Sequence, residues 1–304
     1  MTAELVVALA FTTGNLIGEG PVWDAARARL IWVDHAGGTV HEARAEGDGW
    51  RETRCWTPGG HVGAALPRAG GGLIVARATD FVLMDDEGGC APFVELDLGA
   101  PIARLNDVKC DARGRLWAGS FMPDFTPGGG LHRIDPDGAT HRMLDGAILS
   151  NGLDWSPDGR TFYFIDSWRC TLDAFDFDMD DGALGNRRTL IAFDGRDGIP
   201  NGMALDSEGG LWVALTCGGA VGHFSPDGRL LGRIQVPALG VTSCGFGGPD
   251  RDILFITTRR GRFPDFVKAL GVPEERMDGD GPLAAGVFTY APGVSGAETH
   301  IFPG

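Results

Sequence analysis

The chain has 304 residues, of which 43% are hydrophobic and 22% charged, with 49 glycines and a formal net charge of -15. That apolar content excludes a disordered chain. The acidity excludes nucleic acid as a partner, because phosphate binding needs a basic footprint. Six cysteines without a CxxC pair form neither a zinc-finger spacing nor a disulfide framework.

The first element is an apolar run at residues 5–11, LVVALAF. It is too short for a membrane span and lacks a basic flank, so it reads as a strand; no membrane partner is expected, and the cytoplasm is the default location. A repeat follows. Strands of one pattern start at Leu30 (LIWVD), Leu73 (LIVAR), Leu116 (LWAGS), Phe162 (FYFID), Leu211 (LWVAL) and Leu254 (LFITT), 43 to 49 residues apart. Each is preceded by a polar cluster and an apolar strand, and followed by Gly/Asp turns and further short strands. Pro-Asp-Gly at 136–138, 157–159 and 226–228 marks such turns: proline sets φ and glycine accepts the left-handed position. This period and grammar predict blades. Six units of four antiparallel strands make an all-β six-bladed β-propeller of one domain, residues 1–304. Residues 4–12 have no hairpin partner and are expected to close the ring as the outer strand of the last blade. That blade continues through 261–282 into VFTYA at 287–291 and ETHIF at 298–302. Helix is expected at most over 263–270, and the shortness of 121–129 speaks against a lid-like insertion.

Counting back from the repeated strands locates a polar ring. Eleven residues before Leu30 and Phe162 stand Glu19 and Asn151; ten before Leu116 and Leu211 stand Asn106 and Asn201. The other two units place Val62 beside His61 and Ser243 beside Thr242. The first strand of a blade lines the axis, so these residues are expected to meet at one end of the channel. Asn and Gly also suit turns, but the shared register and the carboxylate point to an oxygen-donor site for a hard divalent cation. Arg104 would point a guanidinium at the same opening. His35, His41, His132, His141, His223 and His300 have no ligand spacing and read as structural. Trp32, Trp117 and Trp212 share one repeat position and read as core. No GxSxG is present, and the triple glycines lack what a phosphate loop requires.

GEGPVW at 18–23, RLNDVKCDARGRLWAGS at 104–120, SNGLDWSPDGRTFYFIDS at 150–167 and PNGMALDSEGGLWVA at 200–214 together resemble the gluconolactonase family that includes regucalcin. The resemblance implies a six-bladed propeller with one divalent metal ion at the channel mouth: calcium, zinc, magnesium, manganese or iron(II). It also implies hydrolysis of a sugar (aldono-) lactone to the aldonic acid, a metal-activated water attacking the carbonyl. Carried over by motif, Glu19 and Asn151 are metal ligands, and Arg104 and Asn106 contact substrate. Asp124 is the counterpart of an acidic substrate contact. The third ligand, also the family's proposed base, is normally the aspartate of a P-D-G motif; here it is Asn201. Glu19 and Asn201 are thus the catalytic candidates, yet an amide can offer a metal oxygen and cannot take a proton from water. Hydrolysis without a dedicated base, a substitute acid such as Asp107 or Asp124, and a metal and small-ligand binding propeller with little turnover all stay open. The expected partner is a sugar lactone and the expected state a monomer or weak homo-oligomer.

Overall fold

The computed structural model describes residues 7–304, and among them the repeated units fold as six four-stranded antiparallel sheets. A strand β1 (Ala8–Thr12) comes first. Blade 1 follows, with β2 (Gly18–Asp24), β3 (Arg29–Asp34), β4 (Thr39–Glu46) and β5 (Gly49–Trp56). Blade 2 has β6 (Val62–Pro67), β7 (Leu73–Arg77), β8 (Asp80–Met84) and β9 (Cys90–Glu95). Blade 3 has β10 (Arg104–Cys110), β11 (Leu116–Phe121), β12 (Gly129–Ile134) and β13 (Thr140–Ala147). Blade 4 has β14 (Ser150–Trp155), β15 (Thr161–Asp166), β16 (Thr171–Phe177) and β17 (Leu184–Ala192). Blade 5 has β18 (Ile199–Leu205), β19 (Leu211–Thr216), β20 (Ala220–Phe224) and β21 (Leu230–Gln235). Blade 6 starts with β22 (Val241–Gly247), β23 (Ile253–Thr258) and β24 (Gly286–Tyr290). It is completed by β1, with Ala8 opposite Thr289 and Thr12 opposite Gly286. Residues 4–6 of the expected closing strand lie outside the described residues.

The innermost strands β2, β6, β10, β14, β18 and β22 pack each on the next, and β22 on β2, so the ring is closed. The second strands lie sandwiched between blades, which is why their sequences are nearly continuous apolar runs. Trp117 and Trp212 are buried there and donate their indole N–H to Asp111 and Asp206, each at 2.8 Å. These carboxylates close the turn after β10 and β18, tying the turn to the interblade core. Trp32 has no such partner, because Asp24 is taken by the buried Arg29; its indole stacks on His41, as that of Trp212 does on His223.

ETHIF is not a strand, because β24 already has β23 and β1 on its two edges. The tail instead crosses the channel end where the inner strands finish. Ser207 N donates to Ser295 O at 2.8 Å and Ala297 N to Leu205 O at 3.0 Å in blade 5; Ala69 N donates to Phe302 O at 2.8 Å in blade 2. Phe302 is fully buried, 5.2 Å from Phe93. The expected helix shrinks to α1 (Phe266–Ala269), which starts after Pro264 and stops before Gly271. Among the described residues no helix is long and apolar enough to cross a membrane.

Candidate active site at the channel mouth

Every inner strand slips register where the polar ring stands: between Glu19 and Val22, Val62 and Ala64, Leu105 and Val108, Ser150 and Leu153, Pro200 and Met203, and Val241 and Ser243. A bulge takes a residue out of the ladder and re-aims its side chain; Asn106, Asn151 and Asn201 are such residues. The glycine after two of them has a separate cause. A Cβ on Gly152 would lie 2.7 Å from the Asn201 carbonyl oxygen, and one on Gly202 would lie 2.1 Å from Ser243 Oγ. Neighbouring inner strands come this close only where the side chain is absent.

The amides are held in fixed orientations. Asn151 Nδ2 donates to Ser167 Oγ at 2.7 Å, and Ser167 gives its own proton to the Pro200 carbonyl. Asn201 Nδ2 donates to Thr216 Oγ1 at 3.0 Å, and Thr216 gives its proton to the Val241 carbonyl at 2.6 Å. A hydroxyl has one proton, so both hydroxyls can only accept from the amides, which therefore turn Oδ1 the other way. Asn151 Oδ1 accepts from Asn106 Nδ2 at 2.7 Å, and Asn106 Nδ2 also donates to Ser150 O at 2.6 Å.

Charge in this site is poorly solvated. Burial pushes the Glu19 carboxyl well above its usual range and the neighbouring Asp107 adds to this, while Arg259 and the Asn201 amide oppose it. Burial also pushes Asp107 up to about 6 against the pull of Lys109. Glu19 Oε2 and Asn201 Oδ1 are buried with no hydrogen-bond partner. Unpaired buried oxygens next to raised carboxyls are relieved by a cation. The donor set, one carboxylate and amide oxygens, fits a hard divalent ion held by Glu19, Asn151 and Asn201.

A second ring stands at the mouth, of which the inner-hairpin ends in the sequence suggest only His35 and Ser167. Five residues past each repeat start stand His35, Ala78, Phe121, Ser167, Thr216 and Arg259, where the second strand returns to the mouth. The spacing that located the first ring would have found this one. His35, which has no ligand spacing in the sequence, lies beside Asn106 and 4.2 Å from the His61 ring; burial and His61 push it down to about 3, so it is a neutral imidazole. Arg259 brings a cation within reach of Glu19 and lies over Phe263 at 5.0 Å. Ser167 and Thr216 are the hydroxyls that orient the two amides.

Other candidates are less central. Arg104 Nη1 donates to the Pro101 and Ala103 carbonyls at 3.2 and 2.9 Å, beside His61. Asp124 is exposed and accepts from Thr126 N and Oγ1 at 3.2 and 2.8 Å within its own loop. That loop is short, yet the mouth does have a flanking insertion. Segment 261–282 buries Phe263, Val267 and Met277 against Cys170, Ile199 and Cys217 of blades 4 and 5. Its Phe266 meets Phe125 at 4.3 Å and Trp168 at 4.7 Å, joining blade 6 to the loops of blades 3 and 4.

Comparison with known proteins places the chain in a family and matches its fold. The family described as SMP-30/Gluconolactonase/LRE-like region matches residues 17–260. Regucalcin of Danio rerio is 38% identical over 252 residues, covering 80% of this chain and 83% of that protein. Regucalcin of Gallus gallus is 32% identical over 297 residues, 95% of each chain. Among solved structures, a luciferin-regenerating enzyme superposes with a TM-score of 0.84 at 26% identity, covering 98% of this chain and 100% of the other. A gluconolactonase of Xanthomonas campestris shares the fold, with a TM-score of 0.74 at 23% identity over 95% of this chain and 90% of the other.

Proposed function

The chain belongs to the SMP-30/gluconolactonase/LRE-like family, and from that premise we propose that it hydrolyses the lactone ring of a polyhydroxylated substrate at the channel mouth, with a divalent cation on Glu19, Asn151 and Asn201. The observation that carries this is the pair of locked amides: Ser167 and Thr216 turn Asn151 Oδ1 and Asn201 Oδ1 away from their hydroxyls, beside a buried Glu19 oxygen without a partner. A scaffold or structural propeller has no use for such an expense of desolvated oxygens. When bound, the cation supplies Lewis-acid polarisation of the lactone carbonyl.

The chain's own residues do the rest. Asn106 and Arg104 bind substrate hydroxyls at the rim, and neutral His35 and His61 present ring nitrogens without adding charge. Asn201 orients and cannot accept a proton. Of the two acids that could replace the missing base, Asp124 is engaged in its own turn, while Asp107 lies beside Glu19 in the channel; we place the proton from water on Asp107. The aromatic group Phe125, Trp168 and Phe266 narrows access on the side of blades 3 and 4.

A pH-indicator assay of acid release from aldono-1,4- and 1,5-lactones tests this, using cation-loaded protein, Glu19→Gln and Asn201→Asp. Turnover should vanish in Glu19→Gln. If proton removal limits the rate, Asn201→Asp should gain on the order of 10²-fold, the scale of a positioned general base. Silence across the panel, with calcium, magnesium, manganese or zinc shown bound by calorimetry, would favour the second reading, a metal and small-ligand binding propeller. That reading is motivated by the amide at position 201.

A further inference from the structure

A second cluster of metal-ligating side chains lies outside the channel, on the outer hairpin of blade 1. In β4 and β5, His41 stands directly opposite Cys55, and a bulge at Glu42/Ala43 leaves Ala43 opposite Glu52. Opposed residues share a face, so the bulge puts Glu52 and Cys55, three apart, on the face of His41, where a regular strand would have set them on opposite faces. The His41 nitrogen, a Glu52 oxygen and Cys55 Sγ lie within 4.8 Å of one another.

From this geometry we propose that His41, Glu52 and Cys55 bind a zinc ion, a site separate from the channel mouth and independent of its function. The His41 ring is already fixed. It stacks on Trp32 at 5.1 Å with 17° between planes, and its Nε2 pairs with Thr39 Oγ1 at 2.7 Å. Nδ1 is thereby aimed at Glu52 Oε1, 2.8 Å away. An imidazole whose second nitrogen is held by an outer partner is the usual form of a metal-binding histidine. Thiolate, imidazole and carboxylate together suit borderline-soft zinc rather than calcium or magnesium. Cys55 and Glu52 are reached from solvent, so three protein ligands leave a fourth position for water. A tetrahedral shell with bonds near 2.0–2.3 Å sets its ligand atoms about 3–4 Å apart; the exposed Cys55 and the half-buried Glu52 would shift to that spacing on binding. His41 has no ligand spacing in the sequence, because its partners come from the opposite strand through a bulge.

Cobalt(II) titration of the full-length, reduced protein is the test, since a thiolate ligand gives an intense near-ultraviolet charge-transfer band that the all-oxygen mouth site cannot give. The band should form at about one equivalent in the parent protein and in Glu19→Gln. It should be displaced by zinc, absent in Cys55→Ser, and unchanged in Cys90→Ser, the other exposed thiol. Zinc affinity, measured by competition with a chromophoric chelator, should fall at least tenfold in Cys55→Ser and in Glu52→Gln. Zinc should also slow alkylation of Cys55 by at least tenfold. Lactone turnover in Cys55→Ser should match the parent, so failure at this site is distinguishable from failure at the mouth. No charge-transfer band in the reduced parent, or a band that survives Cys55→Ser, overturns the proposal; so does zinc binding that only Glu19→Gln removes.

Discussion

Asn201 Nδ2 donates to Thr216 Oγ1 at 3.0 Å, and the Thr216 hydroxyl is itself committed to the Val241 carbonyl at 2.6 Å. One side chain at the end of β19 thus sets which face of the Asn201 amide looks into the channel mouth. Replacing Thr216 by Val keeps the shape and removes the acceptor. Affinity for the mouth cation should fall 10–100-fold, the usual effect of losing an outer-shell partner. Thr216→Ser should stay within a few fold of the parent. Calorimetric titration of both variants with calcium and manganese is the measurement, and equal affinity for Val and Ser would remove Thr216 from the site.

Blade 6 takes β1 from one end of the chain and β22–β24 from the other. Deleting residues 1–12 exposes the edge of β24 and unravels the closure. The loss of a whole strand costs several kcal/mol, so the melting temperature should drop by roughly 10 °C or more. A shift within about 2 °C would show that the ring holds without it.

The tail that crosses the far end of the channel anchors through Phe302. Phe302→Ala should destabilise by about 3–5 kcal/mol, the scale for an aromatic removed from a packed site. Urea unfolding should show a lower midpoint with an unchanged slope. Cation affinity at the mouth should be unaffected, because the tail lies at the other end.

His132 is buried in blade 3, 3.0 Å from Ser120 Oγ, and burial together with Arg142 pushes its imidazole down to about 4. The folded-state value lies below the unfolded one, near 6.5. Above pH 6.5 both states are neutral and nothing is lost. As pH falls from 6.5 towards 4 the unfolded chain takes up a proton that the folded one refuses, and stability declines by roughly 3 kcal/mol over the window. His132→Gln keeps a polar partner for Ser120 and cannot titrate, so it should flatten that part of the pH–stability curve. Identical slopes for parent and variant between pH 6.5 and 4 would place the acid sensitivity elsewhere.

Much of this molecule was legible as periodicity. The repeat of LIWVD, LIVAR, LWAGS, FYFID, LWVAL and LFITT carries the blade count, since a strand buried on both faces must be a continuous apolar run and a ring of blades must repeat it. Counting from those starts located Glu19, Asn106, Asn151 and Asn201, because symmetry around an axis turns equal spacing into equal height. His35, Ser167, Thr216 and Arg259 obey the same symmetry, five residues past the repeat starts.

What tertiary structure decided is whatever depends on pairing between segments distant in sequence. The orientation of the Asn201 amide depends on a hydroxyl whose proton goes to the next blade. The Glu19 carboxyl is raised by burial and by Asp107 from blade 3, neither of which is written near residue 19. ETHIF has the composition of a strand and became a strap, because the edge it would have joined was already filled by β1. His41 acquired Glu52 and Cys55 as neighbours only through the register and bulge of a strand pair. Local spacing records what the repeat dictates; side-chain direction, desolvation and edge occupancy exist only once the ring has closed.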